Sequence, residues 1–308
     1  MSEIAREIAS QPTCWQRAAT LAASVADTLP PRGARVAVVG CGTSLYIARA
    51  YGGLREAAGY GETDAFAASE FPPGRRYDHV LAISRSGTTT EILRLLERLP
   101  DGAISTVITT DDATPAASLA NRSIVLDFAD ERSIVQTRFA TSALALLRAH
   151  LGEDLSGPIE EARTALEAEL PTGLDTYQRY VFLGHGWTVG IAEEAALKLC
   201  EAARLHTEAY PAMEYRHGPI SLADPGALVW LMGSPDPTVA DDAEATGASV
   251  RIASLDPMAE LVLVHRCAVT LADARGLDAD HPRNLTRSVV LSVPGVVSGG
   301  GAARMSMH

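Results

Sequence analysis

Apolar and polar positions along the chain repeat one plan: a short apolar, β-branched run, a turn of small residues, then a stretch with helical period. "RVAVVG" (35–40) leads through "CGTS" into "LYIARAYGGLREA", and "HVLAIS" (79–84) leads through "RSGTTT" into "EILRLLERL". "STVITT" follows, then "DDATPAASLA". The plan restarts further on, where "YVFLGHG" feeds "WTVGIAEEAALKLCEAARL" and is followed by "ALVWLMG" and "VRIASLD". Unbroken apolar strands alternating with helices bury both of their faces, which predicts parallel sheet covered by helices on either side. The restart predicts an α/β chain with two such units in tandem. The expected division is a helical N-terminal segment over 1–30, a first unit over 31–170, a second over 171–293 and a flexible tail over 294–308. An Ala- and Glu-rich helical stretch over about 154–170 closes the first unit, and the boundary falls near Pro171.

The chain has 308 residues, enough for two domains that each bury a core. Its formal net charge of -12 excludes an extended nucleic-acid surface and leaves room only for a small anion in a locally positive pocket. The N-terminus is charged and helical in period, unlike a signal core, and no apolar run approaches the roughly 20 residues of a membrane span. The expected location is cytoplasmic, without membrane contact. Cys14, Cys41, Cys200 and Cys267 are scattered, with no C-x-x-C pair to suggest zinc or redox chemistry. They are expected to be buried free thiols, and no metal is expected.

Chemistry in such a sheet belongs beyond the carboxyl ends of the strands, where "GCGTS" and "SRSGTTT" must lie. Gly40 and Gly42 begin a dinucleotide fingerprint, but position 45 is Leu and the fingerprint fails, so no nicotinamide cofactor is expected. There is no Walker sequence. The second loop sets Ser84, Ser86, Thr88, Thr89 and Thr90 around Gly87 as a helix begins. One Ser or Thr there would simply cap the helix. Five hydroxyls beside a helix start point instead to a site for one phosphate without a nucleotide.

Lys198 is the sole lysine: of 26 basic residues the other 25 are arginine. On a helix expected over about 188–205, Glu194, Lys198 and Glu201 are spaced i, i+4 and i+7 and share one face. A solvated row of ion pairs would look the same and contribute a few tenths of a kcal/mol. A Pro- and Gly-punctuated loop follows, "HTEAYPAMEYRHGP", bearing His206, Glu208, Glu214 and His217. A carboxylate beside a lysine and an imidazole is equipment for moving protons between carbon and oxygen on a sugar.

"CGTS", "SRSG", "EEAALKLCEAARLHTEAYPAMEYRHGPI" and "PRNLTRSV", in that order, resemble the sugar isomerase (SIS) domain family over about 4–293. The motifs are most similar to the isomerase half of the glucosamine-6-phosphate synthases and to stand-alone sugar-phosphate isomerases and deaminases. The resemblance implies two tandem SIS domains, each a parallel sheet flanked by helices in a flavodoxin-like three-layer sandwich. It implies that Gly42, Thr43, Ser44, Ser84, Arg85, Ser86 and Thr89 hold the substrate phosphate. It also implies that Glu201 shuttles a proton between C1 and C2, with Lys198 beside it. His217 is implied to open the ring, entering from the neighbouring subunit of a homodimer with a shared active site. Two departures qualify the synthase reading. A glutaminase half with an N-terminal cysteine nucleophile is not expected, since Cys14 falls inside a helical stretch, and neither is glutamine-derived ammonia. At the position of the lysine credited with an imine stands Arg287, a substrate-side residue whose guanidinium cannot form one.

The expectation is a phosphosugar aldose–ketose isomerase, in particular an isomerising deaminase of an amino sugar 6-phosphate such as glucosamine 6-phosphate, needing no cofactor. Alternatives are a non-catalytic phosphosugar-binding regulator, an ammonia-dependent fructose-6-phosphate aminating enzyme and, more distantly, a nucleoside-diphosphate sugar enzyme.

Overall fold

The structure, a computed structural model, describes residues 1–100 and 102–291. The tail expected over 294–308 lies outside them. Two N-terminal helices, α1 (Glu3–Ala9) and α2 (Gln11–Ala22), lead into β1 (Val36–Gly40), α3 (Thr43–Ala57), β2 (Thr63–Ala67), β3 (His79–Ile83) and α4 (Thr90–Leu96). Then come β4 (Ile104–Thr109), α5 (Pro115–Leu119), β5 (Arg122–Val125), α6 (Arg138–His150) and α7 (Ser156–Glu167). The second series runs β6 (Arg179–Gly184), α8 (Thr188–Ala203), β7 (Thr207–Pro211), β8 (Ala227–Leu231), α9 (Thr238–Ala245), β9 (Ser249–Ile252) and α10 (Pro257–Ala274).

Every strand pairing is parallel, in two sheets of order β2-β1-β3-β4-β5 and β7-β6-β8-β9. Strands β2-β1-β3-β4 of the first sheet and β7-β6-β8-β9 of the second follow the same order. Side chains alternate across each strand. Val36 and Val38 of β1 and Tyr180 and Phe182 of β6 join a central core, while Val39 and Val181 face separate outer clusters. The central cluster includes residues of both sheets and of α3, α6, α8 and α10. A core for each half was expected; instead the inner faces of the two sheets share one.

Close approach of α3 and α8 makes that sharing possible. A Cβ at Gly190 would stand 2.5 Å from the Tyr46 carbonyl oxygen and 2.7 Å from the Ala50 nitrogen. Glycine here brings two backbones together, and with them the loop before α3 and the polar face of α8.

Two expectations are corrected. Residues Thr207–Pro211 form an edge strand beside β6 and are not part of a loop. Its proline ends the strand, where a missing N–H costs no ladder bond. The four cysteines are free, but only Cys14 and Cys267 are buried; Cys41 is half-buried and Cys200 exposed, on the outer side of α8.

Candidate functional site

Lys198 does not lie on a solvated face. Its side chain is 1% exposed, and its ammonium donates to Thr43 Oγ1 at 2.9 Å and to Glu201 Oε2 at 2.5 Å, with Glu194 Oε1 at 3.5 Å. The i, i+4, i+7 spacing on α8 therefore turns inward against the N-terminus of α3. Burial pulls the ammonium down, but Glu194 and Glu201 outweigh it and hold its pKa above the ordinary value. Burial pushes the Glu194 carboxyl up to about 8, only partly offset by Lys198. Near neutrality the cluster thus holds an ammonium and a protonated Glu194, and Glu201, 20% exposed, is the member open to a substrate.

A pH effect follows. Glu194 is raised from 4.5 to about 8, so the folded state binds the extra proton between those values, and stability on its account falls as pH rises through that window. Replacing Glu194 with Gln should flatten the decline. Chemical denaturation of both proteins at several pH values between 5 and 8.5, roughly, checks it as a difference. An unchanged slope counts against the assignment.

Behind Lys198 lies a polar relay that the sequence did not point to. Trp15 Nε1 donates to Thr141 Oγ1 (2.8 Å), Thr141 Oγ1 donates to Gln11 Oε1 (2.8 Å), and Gln11 Nε2 faces His265 Nδ1 at 3.1 Å. With its oxygen bonded to Thr141, Gln11 donates to Nδ1, so the buried imidazole carries its proton on Nε2. Burial, followed by the positive Lys198, lowers its pKa to about 3 and keeps it neutral. Widely separated polar residues inside apolar helices carry no motif that could have revealed them.

The hydroxyl loops converge beside this cluster. Ser44, Ser84, Arg85, Ser86, Thr89, Gln136 and Arg287 line a small polar pocket of about 30 Å³ with Cys41. Thr89 is the N-cap of α4, yet its hydroxyl makes no capping bond, so it is not spent on the helix. Ser84 Oγ accepts from Gly87 N at 3.2 Å and Ser86 Oγ from Thr88 N at 3.3 Å, which holds the loop in shape. Gly42, the N-cap of α3, adopts φ 54°, which turns the chain sharply ahead of Thr43 and Ser44.

Two expected substrate-binding residues are otherwise engaged. Arg85 is buried, donates to the carbonyls of Ser133 (3.0 Å), Ile134 (3.2 Å) and Arg287 (3.2 Å), and stands 3.7 Å from Glu131 Oε2. Its guanidinium therefore braces the pocket wall and is not a free cation of the loop. Arg287 turns its guanidinium to Asp130 and to the Glu131 carbonyl. Glu131 in turn accepts from Thr137 N (2.5 Å), Thr137 Oγ1 (2.8 Å) and Arg138 N (2.8 Å) at the start of α6. His217 is exposed on the turn after β7, and among the described residues no hydrogen bond or ion pair joins it to Glu201 or Lys198.

No family model matches the chain. The glutamine–fructose-6-phosphate aminotransferase (isomerizing) of Gloeobacter violaceus is 28% identical over 315 residues, covering 83% of this chain and 52% of that protein. The chain spans about half the length of the curated relatives it matches. Among solved structures, glucosamine-6-phosphate deaminase from Thermotoga maritima superposes with a TM-score of 0.78 at 24% identity, covering 94% of this chain and all of that one. Tagatose-6-phosphate ketose/aldose isomerase from Escherichia coli gives 0.77 at 17% identity, covering 96% and 97%. No described helix is long and apolar enough to cross a membrane. In sequence and in fold, the chain resembles the sugar isomerase domain family over most of its length, with the aminotransferases as relatives along about half of theirs.

Proposed function

We propose that the chain is a phosphosugar aldose–ketose isomerase that releases ammonia from an amino sugar 6-phosphate such as glucosamine 6-phosphate. One observation carries the reading: the Lys198 ammonium bonds at once to Thr43, next to the hydroxyl pocket, and to the open carboxylate of Glu201. Anchoring group and proton shuttle are thus neighbours. A phosphate seated among Ser44, Ser84, Ser86 and Thr89 sets the far end of a sugar and leaves its C1–C2 end for Glu201.

Chemically, Glu201 takes the C2 proton and returns a proton to C1 through an enolamine, the C2 imine so formed is hydrolysed by water to the ketose and ammonia, and Lys198 steadies the developing oxyanion. His217 assists ring opening from a second copy of this chain, which makes the working form a homodimer. Arginine at position 287, its guanidinium turned to Asp130, offers no nucleophilic amine, which supports a route without an imine between that side chain and the sugar. The names of these three similar proteins, each specifying a sugar 6-phosphate with isomerisation or deamination, support the substrate class.

A panel of hexose and hexosamine 6-phosphates assayed for both ketose and ammonia tests the reading. Ketose with ammonia from the amino sugar is expected; binding of every sugar with turnover of none would make the chain a phosphosugar sensor instead. Ser86→Ala with Thr89→Ala should raise KM for the phosphorylated substrate by at least tenfold, about 1.4 kcal/mol, with the fold intact by circular dichroism. An unchanged KM would move the phosphate elsewhere.

A further inference from the structure

The second sheet repeats the backbone of the hydroxyl pocket with different chemistry. Each turn leaves its strand at a glycine, Gly40 or Gly184, where a Cβ would lie 2.4 Å from the Ser44 carbonyl carbon or 2.3 Å from the Thr188 carbonyl oxygen. Two residues on, Gly42 and Gly186 share φ values of 54° and 55°. β1 and β6 occupy the same place in their sheets, and so do β3 and β8. Both turns therefore open at the edge where parallel sheets of this kind accept ligands.

Beside the β6 turn lies an open cavity of about 440 Å³, far larger than the hydroxyl pocket and assigned no role in the reaction above. Thr43 and Ser44 are replaced there by Trp187 and Thr188. The Thr188 hydroxyl is already spent, donating to the carbonyls of Met232 and His185. The lining contains no lysine, arginine or carboxylate. It offers the half-buried indole of Trp187 with Leu255 and Pro257, and the side chains of His185, Ser234 and Ser254. Among the described residues none of His185, Ser234 or Ser254 makes a side-chain hydrogen bond, and neither does the Trp187 N–H.

We propose that this cavity is a second small-molecule site, and that it takes an uncharged sugar ring. The nearest guanidinium, that of Arg148, packs 5.2 Å from the Trp187 ring centroid and is already paired with Glu153 and Asp256, so the cavity has no free cation to compensate the desolvation of a phosphate. An indole beside free hydroxyl and imidazole groups matches a ring with an apolar C–H face and a hydroxylated edge. The site is separate from the proton-transfer cluster and does not depend on that reading.

The protein carries its own reporter. Trp15 and Trp230 are buried, at 0% and 1% exposure, with their N–H groups bonded to Thr141 and Glu260. Trp187 is the tryptophan that a ligand in the cavity would touch. Titration with unphosphorylated hexoses and N-acetylhexosamines should give a saturable change in tryptophan fluorescence that Trp187→Phe abolishes. By calorimetry, Ser254→Phe, which fills the cavity from an exposed position, should weaken binding at least tenfold with an unchanged melting curve. Ser86→Ala with Thr89→Ala should leave it as it was. The proposal is overturned if no sugar of the panel gives a saturable signal, if binding is lost in the Ser86/Thr89 variant, or if the site prefers the 6-phosphates.

Discussion

Glu201→Gln is expected to abolish exchange of the C2 proton of the substrate with solvent deuterium while leaving sugar phosphate bound. The substitution preserves shape and removes basicity. In the protein Glu201 is the exposed end of a buried row, its Oε2 2.5 Å from the Lys198 ammonium. A carboxylate so placed is held stationary by the ammonium, with its other oxygen left for a substrate. The carboxamide still accepts from Lys198, so the geometry of α8 and the bond to Thr43 should persist. It cannot take a proton. General acid–base groups contribute about 10²–10⁴-fold, and turnover should fall by that factor, about 3–5 kcal/mol of transition-state stabilisation. The checks are nuclear magnetic resonance of exchange and calorimetry of sugar phosphate binding on the same protein. Exchange at the original rate would assign the proton transfer to another residue, and lost binding would show that Glu201 holds the substrate.

The parts of the fold legible in the sequence are those where burial writes a one-dimensional pattern. β1, β3 and β8 are buried at every position and read as unbroken apolar runs. The edge strands β2, β5 and β7, "TDAFA", "RSIV" and "TEAYP", pair on one side only and carry polar residues or proline, so no such pattern marks them. The spacing of Glu194, Lys198 and Glu201 was readable because a helix has a fixed period. Which way that face points was not, since a solvated row and a buried row share the spacing. Arg85 shows the same limit: "SRSG" fixes its place beside the loop hydroxyls, but its partners, Glu131 and the carbonyls of Ser133 and Ile134, come from a segment far along the chain. Chemistry repeated on one element was visible; chemistry assembled from several was not.

That limit bears most on Lys198. Were it an exposed partner of Glu194, arginine in its place would cost well under 1 kcal/mol. The ammonium is instead enclosed, with Thr43, Glu194 and Glu201 around it and the neutral His265 on α10 behind. A planar guanidinium is larger and cannot direct three donors from one point. Lys198→Arg should therefore lower kcat at least tenfold, about 1.4 kcal/mol, and also lower stability by about 1–3 kcal/mol through overpacking. Lys198→Met keeps the length and removes the charge. Because Glu194 is raised to about 8 and protonated near neutrality, only the partly open Glu201 loses a counter-ion, and the stability cost should stay below the roughly 3–5 kcal/mol of a broken buried pair. Activity should fall further than in the arginine variant, because the charge beside the developing oxyanion is gone. Neither protein should bind phosphate less tightly than the wild type by more than the loss of the Thr43 contact explains. The raised pKa of Lys198 also keeps it protonated, and a protonated amine does not attack a carbonyl. Borohydride treatment in the presence of substrate should leave no adduct on Lys198 by peptide mass mapping. A trapped adduct would replace the enediol route with an imine, and full activity in Lys198→Arg would remove this lysine from the reaction.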